Sequence, residues 1–229
     1  MAVAILALGA SVAGADVVAP VVARSASHGG DQYGTGPVSL TDGSGMDQSV
    51  DPTDPSTWEC VSNHYNQEWM AQFFPPLDAD IFQTAALNSK LAWVSFDFGS
   101  SMALDNMYLW NIRYGGGVAG TESYNLYYTD SPSVTLPAEP NKGSWSNTGL
   151  TPQGDYELSG GGWTKFNTVA LTLGKSSDGS VSLSGISARY IAIEIIENWG
   201  DTYKGGRVGF SEVAFSMITP PSGTMIFMK

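Results

Sequence analysis

Polar and apolar residues alternate through most of the chain with the period of two that marks strands. The clearest run is Trp93 to Pro132. Val94, Phe96 and Phe98 alternate with Ser95, Asp97 and Gly99, as in a half-buried strand. Gly99-Ser100-Ser101 reads as a turn, and Met107 to Ile112 as a second strand with large residues on both faces. Gly115-Gly116-Gly117 opens a loop that closes at Gly120. Tyr124 to Thr129 alternates again, and Asp130-Ser131-Pro132 stops it. Further strands are expected at Val38–Leu40, Phe166–Leu173, Tyr190–Ile196 and Val208–Met217. The third is almost continuously apolar and therefore central. Helical periodicity is scarce: Gln67 to Phe74 offers one or two turns, ended by Pro75. Consecutive strands with so little helix predict an all-β chain, an antiparallel sandwich or barrel.

The remaining segments set the domain plan. Residues 2–14 are apolar or small and lead to Ala13-Gly14-Ala15, the small-x-small pattern of signal cleavage, so 1–15 reads as a secretory signal peptide lacking a basic n-region. The alternative is a retained apolar segment used for assembly. The run is too short to span a membrane, and no transmembrane segment is expected. Residues 16–37 read as a flexible leader able to add an edge strand, 38–218 as the domain, and 219–229 as a proline-marked tail. Within the domain, residues 48–92 form a long irregular insertion, the kind of loop that often carries function.

Composition narrows the partners. Net charge is −12, from 22 acidic and 10 basic residues, which argues against nucleic acid or an anionic membrane surface. The single cysteine, Cys60, excludes an intramolecular disulfide. No nucleophile elbow, zinc-protease motif or phosphate loop is present, so the chain is read as non-catalytic. A sugar site needs a flat aromatic beside directional hydrogen-bonding groups. Three loops mix these: Trp58 to Trp69, with His64 and Tyr65; Arg113-Tyr114; and Asn198-Trp199 through Tyr203. For each Trp the other reading is a cap on the core. The loop from Asp42 to Asp47 offers two carboxylates and a turning backbone. Both can serve a hard divalent cation, or simply form turns.

Four motifs in order resemble the discoidin, or coagulation factor 5/8 type C, domain and its carbohydrate-binding-module relatives of bacterial secreted type. They are Trp93-Val94-Ser95-Phe96-Asp97-Phe98-Gly99; Leu109 to Tyr114; Tyr124 to Asp130; and the closing pair Ala188-Arg189-Tyr190-Ile191 and Gly209-Phe210-Ser211-Glu212-Val213. The resemblance spans roughly residues 38–216 and implies a galactose-binding-like β-sandwich, or jelly roll, with ligands on loops at one end. It also implies a structural Ca2+ held between an early loop, here Asp42 and Asp47, and Glu212 of the last strand. The expectation is a secreted or cell-surface glycan-binding module. Its ligand residues would be Trp58, His64, Tyr65, Arg113, Tyr114, Asn198, Trp199 and Tyr203. The second reading is a self-assembling subunit of an extracellular matrix, surface layer or filament, and a glycan-active enzyme comes third.

Overall fold

A computed structural model describes residues 15–25, 40–43, 46–60, 71–73, 93–111, 120–132, 158, 161–172, 180–200 and 208–218. Among them run eleven strands: β1 (Ala15–Val18), β2 (Val22–Ser25), β3 (Met46–Asp47), β4 (Glu59–Cys60), β5 (Ala71–Phe73), β6 (Trp93–Asn111), β7 (Thr121–Thr129), β8 (Thr164–Ala170), β9 (Ser180–Ser182), β10 (Ser187–Asn198) and β11 (Val208–Ile218). All pairings are antiparallel.

The strand β6 belongs to both layers of the sandwich. Its first part, from Trp93 to Asp97, lies between β2 and β10, and the sheet continues through β7 to β8. Its second part, from Leu104 to Asn111, lies between β11 and β9, with β1 and β5 beyond β11. The corner between the parts falls where the sequence suggested a turn. The chain does not reverse there: Gly99 takes φ +80, and β6 bulges past Arg189 of β10 before pairing resumes at Met102. A bulge of this kind lets one strand switch sheets. It is clamped by Asp97, whose oxygens accept bonds from Arg189 Nε (2.8 Å) and Nη2 (2.9 Å), with Gly99 N–H donating to Oδ1 at 2.7 Å. Burial opposes ionisation of Asp97, but the Arg189 and Gly99 bonds outweigh it and lower its pKa.

The alternation in sequence becomes two faces in space. Val94, Phe96, Tyr124, Leu126, Ile191, Ile193 and Ile195 of one sheet meet Met107, Leu109, Phe210, Val213 and Phe215 of the other in one buried cluster. Aromatic edges lock the layers together: Phe96 and Phe98 each approach Phe215 edge-on at 5.1 Å, and Tyr124 meets Phe210 at 6.0 Å. Such pairs add about 0.5–1.5 kcal/mol each beyond area burial.

Two further expectations are corrected. Residues 71–73 are strand, pairing with Val208–Phe210, and not the helical turn read before Pro75. A free edge of β11 supplies a ladder there, which outweighs weak local helical propensity. Leu40, expected to end a first strand, is buried at the start of a tight turn, while residues 38–39 lie outside the described set. The edge strands come from the leader: β1 pairs with β11, and β2 with β6.

Candidate functional site

One end of the sandwich gathers the ends of four long strands. β6 stops at Asn111, β7 starts at Thr121, β10 stops at Asn198 and β11 starts at Val208. Thr121 is the Cα partner of Asn198, and Asn111 that of Phe210. Buried side chains tie these ends together. Asn111 Nδ2 donates to the Thr121 carbonyl at 2.7 Å, and Thr121 N–H donates to Asn111 Oδ1 at 2.9 Å. Thr121 Oγ1 donates to the Gly209 carbonyl at 3.2 Å, and Ser211 Oγ to the Asn111 carbonyl at 3.1 Å. Asn111, Thr121 and Ser211 are all buried. A network satisfied in this way fixes the strand ends rigidly.

Trp199 is attached to the same node. It is half-buried, and its Nε1 donates to the Thr121 carbonyl at 3.1 Å. The carbonyl thus holds the indole by one edge. Asn198 Oδ1 accepts Gly200 N–H at 3.0 Å, and Gly200 takes φ +92, so the chain turns away immediately after the ring. Sequence reasoning missed Asn111 and Thr121. The only signal was one amide inside the apolar stretch Leu109-Trp110-Asn111-Ile112.

The ligand residues read from sequence divide three ways. Asn198 and Trp199 stand at this end. Trp58 does not stand on an open loop: it is 8% exposed, stacks on Trp110 at 6.0 Å and donates Nε1 to the Asp51 carbonyl. It covers the outer face of β6 together with Met46 and Ala214. His64, Tyr65, Arg113, Tyr114 and Tyr203 lie outside the described residues. The described residues that flank two of these segments reach this end: Asn111 and Gly120 flank 112–119, and Gly200 and Val208 flank 201–207; of the two that flank 61–70, Ala71 pairs with Phe210, whereas Cys60 pairs with Met46 beside Trp58.

A second constellation lies on β11. Glu212 is 1% exposed, in a cavity of about 180 Å³ whose lining includes Asp42, Gly43, Gln48 and the strap Val17 to Pro20. Gly43, at φ +70, aims its N–H at Glu212 Oε1, 3.0 Å away. Oε2 is buried with no protein partner. Burial pushes the Glu212 pKa up to about 10; the nearby Asp42 charge adds to this and the Gly43 bond offsets part of it. Asp47, the third residue expected here, is exposed, and its carboxylate accepts Ser49 N–H at 2.9 Å as a turn former. Hydrogen bonds from Ser49 lower its pKa. Among the described residues no group of three or more His, Cys, Asp or Glu is placed to hold a metal. Asp42 and Glu212 with backbone carbonyls suit a hard cation that keeps several waters.

No family model and no curated protein matches the chain. Solved structures do. The family 32 carbohydrate-binding module of C. perfringens NanJ, in complex with galactose, is 12% identical with a TM-score of 0.47, over 88% of this chain and 98% of that one. A Streptococcus pneumoniae fucose binding module is 12% identical with a TM-score of 0.45, over 86% and 93%. The lectin domain of lectinolysin, complexed with Lewis B antigen, is 13% identical with a TM-score of 0.44, over 85% and 90%. These are sugar-binding domains, the group that the strand motifs resemble. The β-sandwich assignment rests on the strand order and the single core between two sheets.

Proposed function

We propose that this chain is a secreted, non-catalytic glycan-binding module of discoidin-like type whose binding face is the strand-end cluster around Trp199. The observation that carries the reading is the half-buried indole, fixed by one edge to the Thr121 carbonyl where four strand ends converge. A ring held this way gives a rigid face for the C–H side of a sugar, and rigidity spares the entropy lost when a mobile aromatic is ordered. Asn198 is adjacent. Arg113, Tyr114 and Tyr203 belong to the segments that leave from this end and are assigned to hydrogen bonding with hydroxyls; His64 and Tyr65 are assigned to its margin. The net charge of −12 favours neutral sugars over anionic ones.

A structural Ca2+ at Glu212 and Asp42 completes the reading. The lone oxygen of Glu212 and its neighbour Asp42 support it, and the ion would join the 40–43 turn to β11 beneath the sheet edge. It would supply structural charge neutralisation, with no part in any reaction. No helix among the described residues is long and apolar enough to cross a membrane.

A glycan array probed with the whole chain, in calcium and again in chelator, tests the reading. The expected result is a narrow set of neutral glycans, bound more weakly in chelator. An array without binding in either condition overturns it.

The assembly-subunit reading has one observation in its favour. The leader segment 15–25 is ordered into both sheets, which a detached leader has no need to be.

A further inference from the structure

We propose that residues 15–25 are an exchangeable strap, and that a second copy of this chain supplies it in trans. The strap lies outermost on both sheets. β1 pairs four residues with β11, and β2 pairs four with β6. Ala19 and Pro20 carry the chain between the sheets, and Val21 N–H donates to the Asp97 carbonyl at 2.7 Å. The strap is held chiefly by these ladders. Ala23 is its one fully buried side chain with described surroundings; Val17 and Val18 are partly buried, and Val21 is 71% exposed. Docking buries Ala23 and half-buries Val17, Val18 and Val22, while the backbone ladders that set the register are indifferent to which chain provides the strap.

The vacated groove does not stay empty. Without the strap, β11 and β6 each present a bare antiparallel edge of fixed register, a template for another strand. The sequence known to fit both edges at once is residues 15–25 themselves, so the occupant with assured complementarity is the same segment of a second copy. Exchange of an identical element is a low-cost route to association. Residues 26–39 join the strap to Leu40. These fourteen residues include Gly29, Gly30, Gly34 and Gly36. Extended at about 3.5 Å per residue they reach roughly 50 Å, enough to meet a neighbour.

Exchange also has a consequence for the cavity on β11. Val17, Val18, Ala19 and Pro20 form one of its walls, beside Asp42 and Glu212. In an exchanged assembly each copy closes its neighbour's Glu212 cavity, so the site is incomplete without the partner. Reciprocal exchange gives a closed dimer, and one-way donation continues as a filament. The proposal depends on neither the sugar nor the cation.

Asp16 and Met217 are Cα partners in the β1–β11 ladder. In a Cys60→Ala background, one chain carries Asp16→Cys and a second, of distinguishable mass, carries Met217→Cys. A disulfide joining the two forms only in trans. The chain carrying both substitutions confirms that the positions bond in cis. Ser180→Cys, on β9 at the opposite edge of the sheet, replaces Met217→Cys as the off-register control. The two chains are mixed at high concentration, oxidised and weighed by native mass spectrometry. The expected result is a mixed dimer several-fold more abundant for Asp16 with Met217 than for the control pair. A cis disulfide in the doubly substituted chain, together with mixed dimers no more abundant than the control, overturns exchange. Unsubstituted chain that remains monomeric by light scattering across the same concentrations overturns it independently.

Discussion

Asn111 and Glu212 sit on adjacent strands, both nearly inaccessible to solvent, yet their polar atoms are treated in opposite ways. Both hydrogen-bonding groups of the Asn111 amide are matched by the Thr121 backbone, ten residues on, and its carbonyl by Ser211. Glu212 has a partner for one oxygen, Gly43 N–H, and none for the other. The contrast is between side chains and not between strands, since Trp110 Nε1, on β6 and the Cα partner of Glu212, is also buried without a partner. Asn111 is thus complete within the protein, whereas Glu212 Oε2 has no protein partner. A proton is the minimal answer, since burial holds the Glu212 pKa near 10. A cation shared with Asp42 is the partner proposed above.

The largest effect should come from breaking the complete member of the pair. Asn111→Ala strips the Thr121 N–H of its partner and removes a donor from its carbonyl, each a buried backbone group, with an added small void. Urea unfolding should show a loss of about 2–4 kcal/mol. In chelator, Glu212→Gln should instead fall within about 1 kcal/mol of the parent, because the neutral amide still accepts from Gly43. Equal losses in the two variants would erase the contrast.

Calcium should sharpen it. At about a hundredfold excess over Kd a native-state ligand adds roughly 2.7 kcal/mol, which raises Tm by about 5–10 °C in a chain of this size. Glu212→Gln should show no such shift. A melting curve of the parent chain that calcium and chelator leave alike would return Glu212 to simple protonation.

Acidity separates two carboxylates of opposite sign. The Asp97 pKa is lowered in the folded state, so its contribution is present above the unfolded value and is lost as pH falls through the folded one. With Arg189 39% exposed, that contribution is about 1 kcal/mol at most, and Asp97→Asn should flatten the stability profile below about pH 4. The Glu212 pKa is raised from 4.5 to about 10, so its folded form holds a proton more tightly. In chelator, stability should fall as pH rises between those values, and Glu212→Gln should remove that slope. Guanidinium titrations from pH 3 to pH 9 read both limbs.

How much of this was legible beforehand follows from where the information is stored. The strands β7, β10 and β11 were visible because alternation against one core is local. β6 was divided in two because Gly99-Ser100-Ser101 has turn chemistry; that a glycine here makes a corner rather than a reversal is decided by Arg189, ninety residues on. β1 and β2 fall in or beside the leader that was read as able to add an edge strand, but their partners, β11 and β6, lie too far along the chain for any local pattern to show. Trp58 was misplaced among exposed ligands because only its partner, Trp110, shows that it is core. Glu212 was found through resemblance, and Asn111 was not found at all. The pairing of one buried amide with a backbone ten residues away leaves no period in a sequence.

The central claim is that Trp199 presents a sugar-binding face on a domain that does not need it to fold. The direct measurement is the affinity of Trp199→Ala for the best glycan on the array, by calorimetry in calcium, with urea unfolding of the same variant. Loss of a stacking aromatic should weaken binding by about 2 kcal/mol, near thirtyfold in Kd. Stability should be almost unchanged, because the Thr121 carbonyl keeps its bond from Asn111. Unaltered affinity, or a variant that no longer folds, would contradict the account and make Trp199 a core residue at the edge of the sandwich.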